Sequence, residues 1–249
     1  MSFFHVIALI ICSAFFSTIG CAITGPGVQT PDELLYPSTC KIEVTNLQDM
    51  TEALCTGSLV DGGKVFTAAH CFGRNFDLAG SQVSINCGGK NMGRSKDIYL
   101  GAGDGDWPNG DFVPSSHVDV AVVQLAKIPS HPTQLVAADP SSYFTTRGQL
   151  RSGVQCSVLG YGTGSNRTNG ILHLAILDQF EISYEFSAQL ITMTSVNGGS
   201  LSISVNYGDS GGPLLCAYPG QEAELVGTTV YMALSPVHGK KVENGFRPL

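Results

Sequence analysis

The sequence contains few charged side chains, and few basic ones in particular. Charged residues make up 13% of the 249, and 13 Lys and Arg stand against 20 Asp and Glu, which gives a formal net charge of −7. Apart from the adjacent Lys240 and Lys241, we find no cluster of basic residues. Nucleic acids and anionic membrane surfaces attract a basic face, so this balance argues against either of them as a partner.

The usual spacings of metal ligands are also missing. The eight cysteines include no C-x-x-C pair and the six histidines include no His-x-x-x-His pair, although such pairs are typical of zinc sites. We therefore expect neither a metal nor another cofactor. Cys12 and Cys21 fall within or at the end of an apolar N-terminal segment. The other six cysteines are an even number, which suits three disulfides in an exported protein.

The N-terminal segment lacks the usual basic residues, since no Lys or Arg precedes Lys41, yet it otherwise has the pattern of a secretory signal peptide. An apolar run at 3–11 is followed by small residues toward Ala22. A membrane-spanning helix is one alternative, but it needs about twenty apolar residues, and polar residues dilute this stretch. A bacterial lipoprotein signal, with a lipid anchor at Cys21, is another. We predict a signal peptide at 1–22, export to the medium or periplasm, and no membrane span.

Short apolar runs dominate the rest of the chain. Thirty glycines and twelve prolines separate runs rich in Val, Ile and Leu, a pattern that predicts short strands and tight turns with few long helices. A polar, turn-rich stretch at 137–143 divides them, so we predict two β-rich domains at 23–136 and 137–249. The predicted strands are 41–44, 56–60, 64–68, 82–86, 97–100 and 118–125 in the first domain, and 154–159, 172–180, 188–193, 201–205, 213–216 and 224–232 in the second.

A serine lies among small residues in the motif G-D-S-G-G-P at 208–213. A serine hydroxyl is a weak nucleophile until a base removes its proton, and the oxyanion formed by its attack on a carbonyl needs fixed donors. The glycines allow a tight turn that aims the N–H groups of Gly208 and Ser210 at one point. An ordinary Gly/Ser turn has the same composition, so the motif gains its weight from two others.

The second motif, T-A-A-H-C at 67–71, places His70 at the end of a β-rich run. An imidazole that is neutral near pH 7 can accept the proton of a serine hydroxyl. Most histidines are ordinary surface or core residues. Among the six histidines of this chain, only His70 lies in such a setting.

The third motif, H-V-D-V-A-V-V-Q-L at 117–125, places Asp119 at the head of a continuous apolar strand. A buried carboxylate needs hydrogen-bond donors, and a histidine ring is a candidate that the carboxylate would orient. An aspartate that caps a strand at a turn is the alternative. The motif is weak alone, but it lies in the required order between the other two.

In this order, T-A-A-H-C, D-V-A-V-V-Q-L and G-D-S-G-G-P-L resemble the chymotrypsin/trypsin family of serine proteases. Supporting matches extend over about 41–232. The resemblance implies an all-β, chymotrypsin-like fold of two packed six-stranded antiparallel β-barrels, with His70, Asp119 and Ser210 as a catalytic triad in the cleft. It also implies a serine endopeptidase that cleaves polypeptide substrates through an acyl-enzyme, with the Gly208 and Ser210 N–H groups as the oxyanion hole. A non-catalytic binding protein on the same scaffold is the alternative function.

The resemblance further implies two disulfides and leaves one pair of cysteines over. Many relatives brace the specificity pocket with another disulfide, but Asn206 stands at that position. The tail at 239–249 shows no long amphipathic pattern, so we expect the C-terminal helix of the family to be short or absent. The expected disulfides are Cys55–Cys71, Cys156–Cys216 and, from the remaining cysteines, Cys40–Cys87.

The segment before the serine motif contains no acidic side chain, since the last acid before Asp209 is Glu185. In the trypsin branch an aspartate there receives an Arg or Lys of the substrate, so we expect cleavage after uncharged residues instead. His238 and Lys240 could favour an acidic residue, which is the minor alternative. The residues predicted to line the pocket are Ser204, Tyr207, Tyr231 and Met232.

The N-terminus of the mature protein has two interpretations. Relatives pair the acid beside the nucleophile, here Asp209, with a newly freed terminal amine. No Arg/Lys-Ile-Val-Gly-Gly activation site is present, but cleavage after Ala22 would expose Ile23 followed by Thr and Gly. Either signal peptidase itself creates the activating amine, or residues 23–36 form a mobile tail and local hydrogen bonds hold Asp209.

Overall fold

Strands account for nearly all of the regular structure. The structure is a computed structural model that describes residues 23, 28–72, 79–93, 95–100, 119–127, 134–162, 170–178, 180–195, 205, 207–235 and 241–248. The strands are β1 (Thr39–Asn46), β2 (Glu52–Val60), β3 (Lys64–Thr67), β4 (Ser81–Cys87), β5 (Lys90–Asn91), β6 (Ser95–Leu100), β7 (Ala121–Leu125), β8 (Gln155–Gly160), β9 (His173–Ile176), β10 (Phe180–Glu185), β11 (Leu190–Ser195), β12 (Pro213–Ala217), β13 (Glu224–Ser235) and β14 (Lys241–Pro248).

Helical structure within the described ranges is limited to three short 3-10 turns. They lie at Glu33–Leu35, Ala69–Phe72 and Pro140–Ser142. None of the described helices has the length and hydropathy needed to cross a membrane.

The strands of the described ranges form two antiparallel sheets of seven strands each. The first has the order β5-β4-β1-β2-β3-β7-β6 and the second the order β10-β11-β14-β13-β12-β8-β9. Alternate residues of β4 and β7 are buried, which is the pattern of strands with one face on a core. The all-β, two-sheet prediction is therefore confirmed, and each sheet has one strand more than the six expected.

Each sheet encloses its own apolar core, and a third cluster joins the two sheets. Ile42, Leu59 and Ile85 are among the fully buried residues of the first core. The joining cluster contains Val60 of β2 together with Leu159 of β8. Burying about 25 cal/mol per Å² of apolar surface is the main force that holds such layers together. The functional residues described below lie at this junction.

The three predicted disulfides are all present. Cys40–Cys87 joins β1 to β4, and Cys156–Cys216 joins β8 to β12. Cys55–Cys71 ties β2 to the 3-10 turn after β3. Three disulfides are typical of proteins that fold in an oxidising compartment.

Several predicted strand boundaries were wrong. The run 172–180 is not one strand, because β9 ends at Ile176 and β10 begins at Phe180. The polar tail contains β14, which pairs with both β11 and β13 and is the last described element. The strand predicted at 201–205 lies outside the described residues except for Val205.

Candidate active site

His70 and Asp119 meet where two neighbouring strands end. His70 lies in the 3-10 turn just after β3, Asp119 lies just before β7, and β3 pairs with β7. The Nδ1 atom of His70 lies 2.6 Å from Oδ2 of Asp119, and the His70 main-chain N–H donates to Oδ1 at 2.9 Å. Asp119 is only 3% exposed. An ionised carboxylate can only accept hydrogen bonds, so the tautomer that fits this contact carries its proton on Nδ1 and leaves Nε2 without one.

The loop that carries Ser210 lies against the segment that carries His70. The N–H of Thr56, in β2, donates to the Ser210 carbonyl oxygen at 2.8 Å. The Cys71 sulfur, on the residue after His70, lies 3.9 Å from that same oxygen. Ser210 itself is partly exposed. The structure therefore brings together the three segments that the sequence motifs singled out.

Two glycines of this loop have backbone angles that only glycine adopts readily. Gly208 has a φ of 94° and Gly211 a φ of 84°, and both values lie in the left-handed region. At Gly211 space is also limiting, because an added Cβ would lie 2.1 Å from Oγ1 of Thr67 and 2.2 Å from the carbonyl oxygen of Thr56. The tight turn and the close packing together explain the small residues of the motif.

Thr56 connects the first sheet to the serine loop. Its hydroxyl donates to the Gly208 carbonyl oxygen at 2.8 Å and accepts from the Tyr161 N–H at 2.8 Å. Its carbonyl oxygen accepts from the Thr67 hydroxyl at 2.7 Å. Thr56 is fully buried, so these bonds are shielded from water. No role was predicted for Thr56 from the sequence.

Asp209 lies in the interior next to Ser210 and accepts two described main-chain hydrogen bonds. The Ile23 N–H donates to Oδ2 at 2.9 Å, and the Gly162 N–H donates to Oδ1 at 2.8 Å. Ile23 is 1% exposed and packs in the core of the second sheet. Of the two interpretations of this segment, the geometry matches the one in which Ile23 reaches Asp209.

A groove of about 610 Å³ runs beside the serine loop. Its lining includes residues of β1, β2 and β4, together with Gly170 and Tyr207. Tyr207 was predicted to line the specificity pocket, and it lies here, 59% exposed, at the edge of the groove. The groove could not be predicted from the sequence, because its lining comes from segments far apart in the chain.

A family model described as Trypsin matches residues 28–242. The chain belongs to the trypsin family. Phenoloxidase-activating factor 1 of Holotrichia diomphalia is 25% identical to it over 236 residues, which are 84% of this chain and 62% of that protein. Platelet-aggregating proteinase PA-BJ of Bothrops jararaca is 28% identical over 196 residues, which are 71% of this chain and 76% of that protein.

Two solved structures share the trypsin-family fold of this chain. The scabies mite inactivated protease paralogue S-I1 has a TM-score of 0.58 at 18% identity, covering 88% of this chain and 92% of that one. HL collagenase has a TM-score of 0.55 at 20% identity, covering 91% and 93%. These likenesses support the fold. The chain spans 62% of the length of the phenoloxidase-activating factor, a protein of the same family with additional length.

The remaining predicted site residues of this trypsin-family chain can be placed only in part. Ser204 lies outside the described residues, and for Tyr231 and Met232 the structure describes the β13 backbone but not the side chains. Burial, reinforced by the nearby Glu33 carboxylate, raises the pKa of Tyr161, so the phenol behind the loop stays neutral. Within the described ranges, no three His, Cys, Asp or Glu side chains converge in a way that could hold a metal ion.

Proposed function

We propose that the chain is a secreted serine endopeptidase with His70, Asp119 and Ser210 as its catalytic triad. The observation that carries this proposal is the doubly bonded contact between His70 and Asp119, at 2.6 Å and 2.9 Å, beside the glycine-rich loop of Ser210. A carboxylate held in this way fixes both the tautomer and the orientation of the imidazole. Membership of the trypsin family supports the same reaction class.

In the proposed mechanism, Oγ of Ser210 attacks the carbonyl carbon of the scissile bond while Nε2 of His70 takes the hydroxyl proton. The carbonyl oxygen becomes an oxyanion, which accepts from the N–H groups of Gly208 and Ser210. The intermediate collapses to an acyl-enzyme as His70 gives its proton to the leaving amine. Water then attacks the ester, again with His70 as the base, and releases the carboxylic acid product and Ser210.

The competing proposal is a non-catalytic protein on the same scaffold, and it has a specific basis. One structure that shares this fold carries the name of an inactivated protease paralogue. The chain studied here, however, retains His70, Asp119 and Ser210. A fluorophosphonate probe decides between the two proposals. We expect one label per molecule, which peptide mass mapping assigns to Ser210 and which Ser210→Ala abolishes. A folded protein that takes up no label at Ser210 supports the non-catalytic alternative.

We propose that the enzyme cleaves after uncharged residues. The support is the absence of any acid between Glu185 and Asp209, so the segment before the serine has no carboxylate to receive Arg or Lys. Ser204, Tyr231 and Met232 would then line an uncharged pocket. A library of peptides that varies the residue on the acyl side of the bond tests this. Dominant cleavage after Arg or Lys contradicts it.

Activation is proposed to follow directly from export. Removal of residues 1–22 frees the amine of Ile23, which is mostly protonated at neutral pH. This amine pairs with Asp209, because Ile23 N and Asp209 Oδ2 are 2.9 Å apart in a site shielded from water. A buried carboxylate is costly without a counter-charge, and the freed amine supplies one. No separate precursor would then accumulate.

N-terminal sequencing of the active exported protein tests this activation. We expect Ile23 as its first residue, and we expect a form that carries one extra residue ahead of Ile23 to lose most of its activity. An equally active extended form contradicts the pairing with Asp209. Recovery of a lipidated Cys21 would instead support a membrane-anchored protease.

A further inference from the structure

The groove beside Tyr207 is continuous with the proposed catalytic loop. Tyr207 precedes Gly208, and Leu54 in the groove floor lies two residues from Thr56, which bonds to the carbonyls of both Gly208 and Ser210. The groove therefore adjoins the loop that carries Ser210.

Three adjacent strands of the first sheet present alternate side chains to the groove. Glu43 of β1 lies opposite Leu54 of β2 and Ser84 of β4. Two residues further along β1, Thr45 lies opposite Glu52 of β2. Glu43 and Glu52 are thus diagonal neighbours on one face of the sheet, with Cβ atoms about 7 Å apart. Two carboxylates at this spacing repel each other and attract a cation that comes between them.

Nearby cationic side chains neutralise only part of the negative charge of the groove. Nζ of Lys41 lies 3.2 Å from Oε1 of Glu43, but among the described residues no cationic group lies within ion-pair distance of Glu52. The described lining contains no Lys, Arg or His. Asp49, exposed on the turn between β1 and β2, adds a further negative charge and bonds to Thr51 of the lining.

Apolar surface borders the acidic floor. Met50 is 65% exposed and Tyr207 59% exposed, and both line the groove. The side chains of Lys and Arg combine an apolar stem with a charged head, so they fit a groove with an apolar border and an acidic floor. A neutral aliphatic side chain matches only the border, and an acidic one is repelled by the floor.

We infer that this acidic groove, defined by Glu43, Glu52, Met50 and Tyr207, selects a Lys or Arg on the leaving-group side of the scissile bond. The inference rests on the proposed function and names its substrate class, polypeptides with a basic residue after the cleaved bond. The acyl side of the substrate is assigned to the pocket of the second sheet. Most of the groove lining belongs to the first sheet, whereas the predicted pocket residues Tyr231 and Met232 belong to β13 of the second, so we assign the groove to the departing segment.

Internally quenched peptides that share one acyl sequence test this inference. Lys, norleucine or Glu is placed in turn at each of the first four positions after the scissile bond. We expect kcat/KM for Lys to exceed that for norleucine by about three- to tenfold at one or two of these positions, since each exposed ion pair contributes modestly. The preference should weaken as salt is raised from about 0.01 to 1 M.

Charge-neutral variants identify the residues responsible. Glu43→Gln combined with Glu52→Gln should abolish the Lys preference, so that kcat/KM for the Lys peptide falls to that for the norleucine peptide. Glu181→Gln is the matched control, since it removes one exposed charge from β10 of the second sheet. It should retain the full preference.

The failure of this inference is distinguishable from the failure of the proposed function. Ser210→Ala protein, which cannot turn over, should still bind the Lys peptide about three- to tenfold more tightly than the norleucine peptide, measured by fluorescence anisotropy. Any of three outcomes overturns the inference. The Lys preference persists in the double glutamine variant, it appears on the acyl side of the scissile bond, or it is absent from both the kinetic and the binding assay. If the wild-type protein takes up no fluorophosphonate label but the Lys peptide still binds selectively, only the peptidase mechanism is overturned.

Discussion

Removal of one hydroxyl group at Thr56 should weaken both the fold and the proposed catalysis. Thr56→Val keeps the shape of the side chain but deletes the oxygen that donates to the Gly208 carbonyl and accepts from the Tyr161 N–H, both at 2.8 Å. Thr56 is fully buried, so water cannot replace either bond without a rearrangement of the core. The variant therefore leaves one acceptor and one donor unsatisfied.

The expected magnitude follows from these two groups. A buried polar group that loses its partner costs about 1–3 kcal/mol, so Thr56→Val should lower the free energy of unfolding by about 2–6 kcal/mol. Because the Gly208 carbonyl is no longer held, the N–H groups that face the oxyanion also lose their fixed direction. Loss of an oxyanion donor costs about a hundredfold or more in kcat. The Thr56 N–H still holds Ser210, so we expect a smaller drop, about tenfold.

Urea unfolding and steady-state kinetics on the purified protein measure the two effects, with Thr228→Val as the matched control. Thr228 is also fully buried, and among the described residues its hydroxyl has no hydrogen-bond partner. The control should therefore change stability by less than about 1 kcal/mol and leave kcat unchanged. The assigned role of Thr56 is refuted if the two substitutions change stability and kcat equally. It is also refuted if Thr56→Val lowers stability but leaves kcat unchanged.

A further prediction concerns the serine loop. Gly211→Ala should prevent folding or remove activity, since the added Cβ lies 2.1 Å from Thr67 Oγ1. Gly220→Ala is the control, because Gly220 also has a positive φ, 79°, but no atom lies within 4 Å of an added Cβ. This variant should be folded by circular dichroism and should retain its turnover.

Local motifs made the proposed active site predictable from the sequence. The histidine, aspartate and serine segments each carry a short pattern whose chemistry can be read without knowledge of the fold. The disulfides and the two-sheet architecture followed from the family resemblance. The groove was not predictable in this way, because Glu43 and Glu52 become neighbours only through the register of β1 against β2.

The C-terminal strand shows where sequence patterns are misleading. β14 contains Asn244 and Arg247, two polar residues of a tail in which no strand was predicted, yet both are buried. Their polar groups bond to main-chain atoms: Asn244 accepts from the Val205 N–H at 2.9 Å, and Arg247 donates to the carbonyl oxygens of Ala188 and Gln189. Side chains that satisfy buried backbone groups lack the apolar alternation by which a strand is recognised.

The most direct test of the central claim is a double-mutant comparison in the proposed triad. Purified Ser210→Ala, His70→Ala and the double variant are compared with the wild-type protein on one peptide substrate. Because triad members act as a unit, each single substitution should lower kcat/KM by about 10⁴-fold or more, and the double variant should be little worse than either. Losses that multiply in the double variant, or a single variant that retains substantial turnover, contradict a mechanism in which His70 activates Ser210.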